Sequence, residues 1–553
     1  MLRPRVTLLI PLLVLVWVAG WPGPGDEASG AGPTPAGRLQ AVARPGGTAH
    51  LPANTPAPAG IRAPAPIAVA GRAGRWIVDT TGRVVVLRGM NMVAKRPPYL
   101  PSRLGFGADD AAWLREQGFT AVRLGIIASG VAPTQRGSFD EAYLDDIAAT
   151  VRQLHAAGIA TLVDLHQDYY TESTGGEGFP GWMTHKRPGL ASLGVGRADA
   201  TPFDGLWANT DGVQDDIAAI WERVATRLRD VPGILGYDLF NEPYPGSRVD
   251  ECARLEGCPA FDSGVLRPFF RRLTAGVRAA DPRRLVFVEP GVNFNQGAAT
   301  WIGDTGDPQT GFSFHVYCSP VVGSTPCATR QPRAFANAEK QVVAGRQTSL
   351  LTEFGATDDL GRLRSVLEDA DRAMVGWLHW AYFNEDPFAA RPHEGLVRTL
   401  AEAPGPRTVK AEKLAVLARP GPVLIAGTPR GWSWNDSAER LEVTWSTAAV
   451  VGARALVRRV RPAASGGGGR TVGAARPDSR ARGSRATAMA LPKWMADAGE
   501  GGVSVIELPP ATVRAGWRVR VTGGRVVSAA GDRRVRVLAD RGTTDVTVVV
   551  DRG

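Results

Sequence analysis

Two segments of the sequence each end an apolar, strand-like run with a glutamate. Residues 234–246 read ILGYDLFNEPYPG and residues 349–357 read SLLTEFGAT, so Glu242 and Glu353 each stand at the end of such a run. An unpaired carboxylate is costly inside a protein core, whereas at a strand end it can be held rigidly at the mouth of a pocket. Pro243 also fixes the backbone next to Glu242. Two carboxylates presented in this way suit the hydrolysis of a glycosidic bond.

Apolar runs alternate with helical patterns over residues 72–418. The helical patterns include residues 109–117, capped by Asp109, and residues 141–157 and 215–229. The predicted strands are residues 84–91, 120–126, 160–168, 234–242, 285–289, 312–317, 350–354 and 376–383. Eight strands separated mainly by helices predict a (β/α)8 barrel, in which active sites are built at the carboxyl ends of the strands.

The sequence after about residue 418 has a different pattern. Short β-branched segments such as 441–444, 503–508 and 546–550 are separated by Gly and Pro turns, which is typical of an all-β sandwich. The overall prediction is an α/β chain, in which a (β/α)8 TIM barrel over residues 72–418 carries a C-terminal all-β sandwich domain over residues 420–553.

The first seventy residues have the character of a targeting segment and a linker. Arg3 and Arg5 precede the apolar run VTLLIPLLVLVWVA at residues 6–19, which predicts a signal peptide over residues 1–21 and export of the chain. The run is shorter than the roughly 20 residues of a membrane span, but it lacks a clear cleavage site, so an uncleaved membrane anchor is the alternative. Residues 22–70 are rich in Gly, Pro and Ala and predict a flexible tether.

The composition of the chain is that of a globular protein with a basic charge. Of its 553 residues 44% are hydrophobic, which is enough to fill the cores of two domains. The formal net charge of +10 comes from 64 Lys and Arg against 54 Asp and Glu. Because Arg far outnumbers Lys and Ala, Gly and Pro are abundant, we attribute this excess to compositional bias and expect no nucleic-acid partner. A basic surface would still favour transient contact with anionic membranes or acidic glycans.

The four cysteines fall into two close pairs, Cys252 with Cys258 and Cys318 with Cys327. The even number, the short separations and the export signal together predict two local disulfides. A zinc site is the alternative. The five and eight residues between the cysteines of each pair exceed the usual zinc spacing of about two to four residues.

Polar and aromatic side chains stand at the ends of most predicted strands. Taken singly, each has an ordinary structural explanation: Arg123 as a surface ion pair, His166 as a satisfied core histidine, Trp380 as a core residue. Together, and in this order, the set resembles the functional residues of the family 5 glycoside hydrolase barrels of clan A, and the resemblance covers residues 72–418. The matching residues are Arg123, His166, Asn241, Glu242, His315, Tyr317, Glu353 and Trp380.

The resemblance implies a retaining double displacement that needs no metal and no organic cofactor. Glu353 would be the nucleophile and Glu242 the acid and base, with their carboxyl groups about 5 to 5.5 Å apart. Glu242 then needs surroundings that keep it protonated, and Glu353 needs surroundings that keep it ionised. Arg123 would stabilise the charge of Glu353, and Tyr317 would donate a hydrogen bond to it.

Further residues would contact the sugar. Asn241 would hold the sugar 2-hydroxyl, whose hydrogen bond strengthens in the transition state. Trp380 would offer a flat face on which the sugar ring stacks.

A finer resemblance lies in two longer motifs. These are RGMNMVAKRPPY at residues 88–99 and VDLHQDYY at residues 163–170. With the C-terminal β-domain and an early loop that contains Trp182, they resemble the endoglycoceramidases, which cut the β-linkage between the oligosaccharide and the ceramide of a glycosphingolipid. The resemblance implies a glycosphingolipid substrate and sugar subsites near the cleaved bond. The residues implied for those subsites are Lys95, Asp168, Trp182 and Gln296.

Three other functions stay open at this point. A secreted β-1,4-glucanase or mannanase of the same family predicts a long open cleft lined with aromatic residues. Relatives that prefer monohexosyl or galactosyl lipids share the HQDYY motif. A non-catalytic sugar- or lipid-binding barrel would normally lack one of the two glutamates. We expect a secreted or extracellular monomeric enzyme.

Overall fold

The computed structural model of the protein describes residues 66–184, 200–317, 326–383, 393–460, 500–511, 517–529 and 531–552. The predicted signal peptide and most of the predicted tether lie outside these ranges. The first strands are β1 (Val69–Ala73), β2 (Trp76–Asp79) and β3 (Val84–Val85). Eight parallel strands then close into a barrel: β4 (Arg88–Met92), β5 (Ala121–Ile127), β6 (Ala160–His166), β7 (Ile234–Asp238), β8 (Leu285–Val288), β9 (Thr310–Val316), β10 (Thr348–Phe354) and β11 (Trp377–His379). The predicted barrel is therefore confirmed.

Most of the helices surround the barrel, with apolar residues on the faces that pack against the strands. In the helix of residues 267–280, for example, Phe269, Phe270, Leu273 and Val277 are all buried and recur at helical spacing. The helices are α1 (Ala108–Glu116), α2 (Ala128–Val131), α3 (Glu141–Ala156), α4 (Ala200–Trp207), α5 (Val213–Leu228), α6 (Val249–Cys252), α7 (Pro259–Phe261), α8 (Arg267–Ala280), α9 (Cys327–Gly345), α10 (Leu360–Ala373), α11 (Ala411–Leu417) and α12 (Ala453–Val460).

The start of α1 differs from the prediction. Asp109 is not the N-cap, because the helix begins at Ala108 and Gly107 occupies the cap position. The backbone N–H of Gly107 donates to the Asp110 carboxylate over 2.8 Å. Asp110 therefore makes the capping hydrogen bond, and Asp109 lies in the first turn. Gly107, Asp109 and Asp110 all suit a helix start, so the sequence alone could not show which of them occupies the cap.

The barrel interior consists of an apolar layer and a polar layer. Ala121 of β5 belongs to the apolar layer, whereas Arg123, two residues further along the strand, is surrounded by carboxylates. Ile77 of β2 and Val85 of β3 pack against this apolar layer and close the amino-terminal end of the barrel. The other barrel residues of the apolar layer include Leu162, Leu235, Leu285, Phe287, Leu350 and Leu378. Polar side chains are thereby confined to the half of the barrel nearer the carboxyl ends of the strands.

The C-terminal residues form two antiparallel sheets that pack face to face. The strands are β12 (Gly421–Ile425), β13 (Thr428–Asn435), β14 (Arg440–Ser446), β15 (Val503–Glu507), β16 (Trp517–Thr522), β17 (Gly524–Val526), β18 (Arg534–Ala539) and β19 (Asp545–Arg552). One sheet has the order β1-β2-β3-β12-β15-β18-β17 and the other the order β13-β14-β19-β16. Ile506 and Val537 of the first sheet share a core with Trp445 and Val548 of the second. The predicted β-sandwich is confirmed.

The predicted strand over residues 84–91 is wrong in one respect, because it is two strands in two different sheets. Val85 of β3 pairs with Leu424 of β12 in the sandwich, and Arg88 of β4 pairs with Trp377 of β11 in the barrel. Residues 69–85, which the prediction assigned mostly to the barrel unit, thus complete the sandwich. The segment VVVLRGMN is continuously apolar up to Arg88 and has no Gly or Pro where the chain changes sheet, so its pattern could not show the change.

The sandwich packs against the amino-terminal end and the side of the barrel. Arg88, the first residue of β4, donates from Nη1 to the carbonyl of Arg419 over 3.1 Å. Trp432 of β13 donates from Nε1 to Asp371, in the last turn of α10, over 2.9 Å. Both contacts lie at the end of the barrel opposite to the strand ends that carry Glu242 and Glu353.

The structure contains the predicted disulfide between Cys252 and Cys258, which closes a small loop after β7. Cys318 of the second predicted pair, Cys318 with Cys327, lies outside the described residues, so that pairing stays a prediction. None of the helices within the described ranges has the length and apolar character needed to cross a bilayer.

Removing the sandwich should prevent the barrel from folding. A fragment of residues 66–418 keeps β1 to β3 but exposes Val78 and Val84, which are fully buried in the sandwich core. Each large apolar side chain left in water costs about 1.5–3 kcal/mol. We expect an insoluble fragment or one without a cooperative thermal transition, compared with residues 66–553 expressed in parallel. A soluble fragment that melts cooperatively and keeps full activity would show that the two units fold independently.

Candidate active site

The two predicted catalytic glutamates face each other across the carboxyl end of the barrel. Glu353 is the sixth residue of β10, and Glu242 follows the end of β7 by four residues. Polar atoms of Glu242, His315 and Glu353 all lie within 4.8 Å of one another. Carboxyl groups stand about 5–5.5 Å apart in retaining glycosidases and about 6.5–9.5 Å apart in inverting ones. The short separation therefore fits a retaining mechanism.

Glu242 is the more exposed of the two carboxylates and accepts two hydrogen bonds at one oxygen. Its side chain is 19% exposed, against 5% for Glu353. His315 Nδ1 lies 2.8 Å from Glu242 Oε1, and Asn295 Nδ2 donates to the same oxygen over 2.6 Å. The same His315 nitrogen lies 3.5 Å from Glu353 Oε2, so this imidazole stands between the two carboxylates.

Glu353 is held on both of its oxygens. Arg123 Nη1 donates to Oε1 over 2.7 Å, and the Tyr317 hydroxyl donates to Oε2 over 2.9 Å. Both donors were expected from the sequence to support this residue. Two bonds on two oxygens fix the carboxylate plane and aim it at the space in front of Glu242.

Arg123 is the centre of a buried ion network. Its side chain is fully buried, and all of its nitrogens bond to protein oxygens. Besides Glu353, its partners are Asp238 at 2.9 Å, Glu289 at 2.7 Å, Asp164 at 2.9 Å, Asn241 at 2.9 Å and Asn91 at 3.2 Å. Burial disfavours its charge, but Asp164 and the other carboxylates outweigh burial and raise the pKa of Arg123 well above its ordinary value.

The same surroundings displace the pKa values of the groups nearest the reaction. Burial raises the pKa of Glu353 to about 7, although His315 and Arg123 act in the opposite direction. Burial also opposes the charge of His315, but Glu353 and Glu289 outweigh it and hold the pKa of His315 well above its usual range. Burial and the Glu353 charge raise the pKa of Tyr317. His315 is therefore a cation and Tyr317 a neutral donor at neutral pH.

A second polar cluster surrounds Lys95. Its ammonium bonds to Asp168, lies 3.4 Å from Glu177 Oε1, and stands 4.8 Å from the centre of the Trp380 ring. Burial favours neutral Asp168, but Lys95 and His166 outweigh it and hold the pKa of Asp168 well below its usual range. Burial raises the pKa of Glu177 to about 8.

His166 joins this cluster to the network around Arg123. Its Nδ1 lies 2.8 Å from Asp164 Oδ2, and its ring stacks on Trp380 with centroids 5.3 Å apart. Burial disfavours the charge of His166, but Asp164 and Asp168 outweigh burial and raise its pKa to about 10. Glu394 Oε2 accepts the indole N–H of Trp380 over 3.0 Å, which fixes the plane of the ring.

Not every predicted site residue joins these clusters. Within the described residues, neither Trp182 nor Gln296 bonds to the two glutamates. The indole N–H of Trp182 donates to the carbonyl of Ala132 over 2.9 Å, and Gln296 Oε1 accepts from Arg330 Nη1 over 3.0 Å. Asn241 keeps its predicted place beside Glu242, but its amide nitrogen donates to the carbonyl of Gln167 over 3.0 Å.

Several residues of the site were missed from the sequence, among them Asn295, Glu177 and Glu289. Asn295 stands directly before the predicted Gln296, and nothing in the pattern distinguishes these two amides. Glu177 lies in the loop after β6 and is brought to Asp168 by a two-residue antiparallel bridge. Glu289 could have been found, since it ends the predicted strand 285–289 in the same way as Glu242 ends its own.

In the part of the chain that the structure describes, three groups of acidic and histidine side chains have a spacing that would suit a metal ion. They are Glu242, His315 and Glu353; His166, Asp168 and Glu177; and Asp164, Asp238 and Glu289. Each group already includes or contacts a protein cation, namely His315, Lys95 or Arg123. A metal would compete with these cations, so the donor sets fit proton transfer and carbohydrate binding better.

A closed barrel with one glutamate beyond its fourth strand and another on its seventh defines a two-carboxylate glycoside hydrolase. The family described as Cellulase (glycosyl hydrolase family 5) matches residues 78–386, more than half of the chain. The chain therefore belongs to glycosyl hydrolase family 5, as the strand-end residues indicated.

Among the proteins to which this chain is similar are endoglycoceramidases. The chain is 33% identical to Endoglycoceramidase I of Rhodococcus hoagii (strain 103S) over 372 residues, which cover 61% of this chain and 73% of that protein. It is 27% identical to an endoglycoceramidase of Cyanea nozakii over 345 residues, 55% of this chain and 67% of that one. The lactosyl-enzyme intermediate of endo-glycoceramidase II from Rhodococcus sp. shares the fold with a TM-score of 0.65 at 24% identity, over 86% of this chain and 99% of that one.

The raised pKa of Glu353 should be visible in the pH dependence of activity. A nucleophilic carboxylate must be ionised, so kcat/KM for a soluble β-glycoside should rise with pH as Glu353 loses its proton. We expect this acid limb above the ordinary glutamate value of 4.5. Tyr317→Phe removes a donor to the ionised form and should move the limb to still higher pH. If the acid limb of the wild-type kcat/KM profile lay at or below pH 4.5, it would contradict the assignment of Glu353, with its raised pKa, as the nucleophile.

Proposed function

We propose that the protein is a retaining glycosidase that cleaves the β-linkage between the oligosaccharide and the ceramide of glycosphingolipids. The observation that carries the proposal is the approach of Glu242 and Glu353 to within 4.8 Å around His315. The substrate class is supported by the two endoglycoceramidase relatives, whose alignments cover 61% and 55% of this chain.

The first half of the reaction forms a covalent sugar–enzyme ester. A Glu353 oxygen attacks the anomeric carbon while the bond from that carbon to the ceramide oxygen breaks. Glu242 gives its proton to the departing oxygen, so ceramide leaves as a neutral alcohol. Arg123 and Tyr317 hold Glu353 in position for the attack through their bonds to its two oxygens.

The second half releases the oligosaccharide. Glu242, now ionised, takes a proton from water, whose oxygen attacks the anomeric carbon and displaces Glu353. Two inversions at the same carbon retain its configuration. His315 stands 2.8 Å from Glu242 and 3.5 Å from Glu353, so its positive charge stabilises whichever of the two carboxylates is ionised at each stage.

The Lys95 cluster is suited to bind sugar hydroxyls next to the reacting carbon. Asp168 accepts hydrogen bonds and Lys95 donates them; Lys95 bonds to Asp168 and stands 4.8 Å from the centre of the Trp380 ring. An aromatic face beside a charged donor–acceptor pair matches a sugar, which has apolar C–H faces and polar edges. We assign Lys95, Asp168, His166 and Trp380 to the sugar side of the cleaved bond.

We further propose that the chain acts outside the cytoplasm as a monomer. The Cys252–Cys258 disulfide supports an oxidising compartment, in agreement with the export signal predicted over residues 1–21. Ceramide is held in a membrane or a micelle, so the enzyme must approach a lipid surface transiently to reach its substrate.

Product analysis tests the proposal against the glucanase and mannanase alternatives. The purified protein should release an intact oligosaccharide and ceramide from a ganglioside, and no reducing sugar from carboxymethyl-cellulose. Glu242→Gln and Glu353→Gln should each lower ganglioside cleavage by several orders of magnitude, whereas Glu251→Gln, at an exposed position, should leave it unchanged. Release of sugar from the cellulose alone, or more than about a tenth of the activity in either catalytic variant, would overturn the assignment.

A further inference from the structure

Glu289 lies directly after β8. Its carboxylate contacts the backbone of Glu242, the ring of His315 and the guanidinium of Arg123. We propose that Glu289 is a positioning residue that fixes the orientation of Glu242, and this inference rests on the retaining mechanism proposed above. Glu289 is 1% exposed, and its Oε2 accepts the backbone N–H of Glu242 over 2.8 Å.

The backbone of Glu242 needs such a partner. Its φ is +44°, in the left-handed region that residues other than glycine rarely adopt. It stands beyond the end of β7, and its N–H donates to Glu289 instead of to a neighbouring strand. Because the backbone conformation sets the direction of the side chain, this hydrogen bond determines where the acidic proton points.

The other oxygen of Glu289 extends the link to the rest of the site. Arg123 Nη2 donates to Glu289 Oε1 over 2.7 Å, and His315 Nε2 lies 3.5 Å from it. Arg123 bonds in turn to Glu353, and His315 to Glu242. One carboxylate therefore contacts the backbone of the acid and the two cations that stand beside the acid and the nucleophile.

An amide cannot replace this carboxylate. Glutamine has one acceptor oxygen, so its NH2 group would face either the Arg123 guanidinium or the N–H of Glu242, and both of these are donors. Glu289→Gln should leave one donor without a partner while keeping the size of the side chain. Glu289→Asp keeps the charge but shortens the reach to Glu242.

Two β-lactosides with different leaving groups separate this role from a general structural one. An octyl lactoside needs the proton of Glu242 to expel its alkoxide, whereas a 2,4-dinitrophenyl lactoside releases a stable phenolate without it. For Glu289→Gln we expect kcat/KM to fall about 10- to 100-fold on the octyl lactoside and no more than about threefold on the dinitrophenyl lactoside. Glu289→Asp should show the same selectivity, and it provides the measurement if the Gln variant does not fold.

Two control variants make the outcome decisive. Glu242→Ala should also lower kcat/KM on the octyl lactoside more than on the dinitrophenyl lactoside, and by a larger factor than the Glu289 variants. Glu507→Gln removes a buried carboxylate of the sandwich that also accepts from two arginines, Arg115 at 2.8 Å and Arg534 at 3.1 Å, and should alter neither kcat/KM. An equal loss on both lactosides for the Glu289 variants, with selectivity in Glu242→Ala, would overturn the positioning role alone. A loss of selectivity in Glu242→Ala would overturn the acid assignment and the positioning role together.

Discussion

The site depends on the burial of one positive charge, the guanidinium of Arg123. Removing a charge from water costs several kcal/mol unless partners replace the lost hydration. Here four carboxylates and two side-chain amides surround it. Because those six partners come from five different barrel strands or the residues just beyond them, the ion network also fixes the relative positions of the strand ends. The nucleophile Glu353 is one of these partners, so the geometry of the reaction follows from the geometry of the network.

The division of the barrel into two layers allows such a network to exist in a stable protein. The apolar layer at the amino-terminal end, closed by Ile77 and Val85, supplies hydrophobic burial. The polar layer at the carboxyl end contains the buried ionisable groups, such as Glu353 with its raised pKa. The sandwich packs at the apolar end and along α10, and thus stabilises the barrel without contributing to the chemistry. The amino-terminal end of the barrel therefore contributes mainly to stability, and the carboxyl end carries the catalytic residues.

The sequence predicted the parts of the site that combine a polar residue with the end of an apolar strand. His166, His315 and Glu353 were found in this way, because the whole set in its order is harder to explain structurally than any one of its residues. Asn295 and Glu177 were not found, since they lie beyond the ends of β8 and β6, Asn295 in a short 3-10 helix and Glu177 in a loop, and reach the site only through the three-dimensional path of the chain. The exchange of sheets between β3 and β4 was missed for a related reason: sheet membership is decided by the partner strand, here β12, which lies more than 300 residues away.

The central claim is that Glu353 becomes covalently bonded to the sugar while Glu242 transfers the proton. A 2-deoxy-2-fluoro lactoside with a dinitrophenolate leaving group tests it directly. The fluorine slows both the formation and the hydrolysis of the ester, whereas the activated leaving group speeds only its formation, so the ester accumulates. Mass spectrometry of the protease-digested protein should then find one fluorolactosyl group, attached to the peptide that contains Glu353. A label on another residue, or hydrolysis of the lactoside with inversion and no label, would contradict the account.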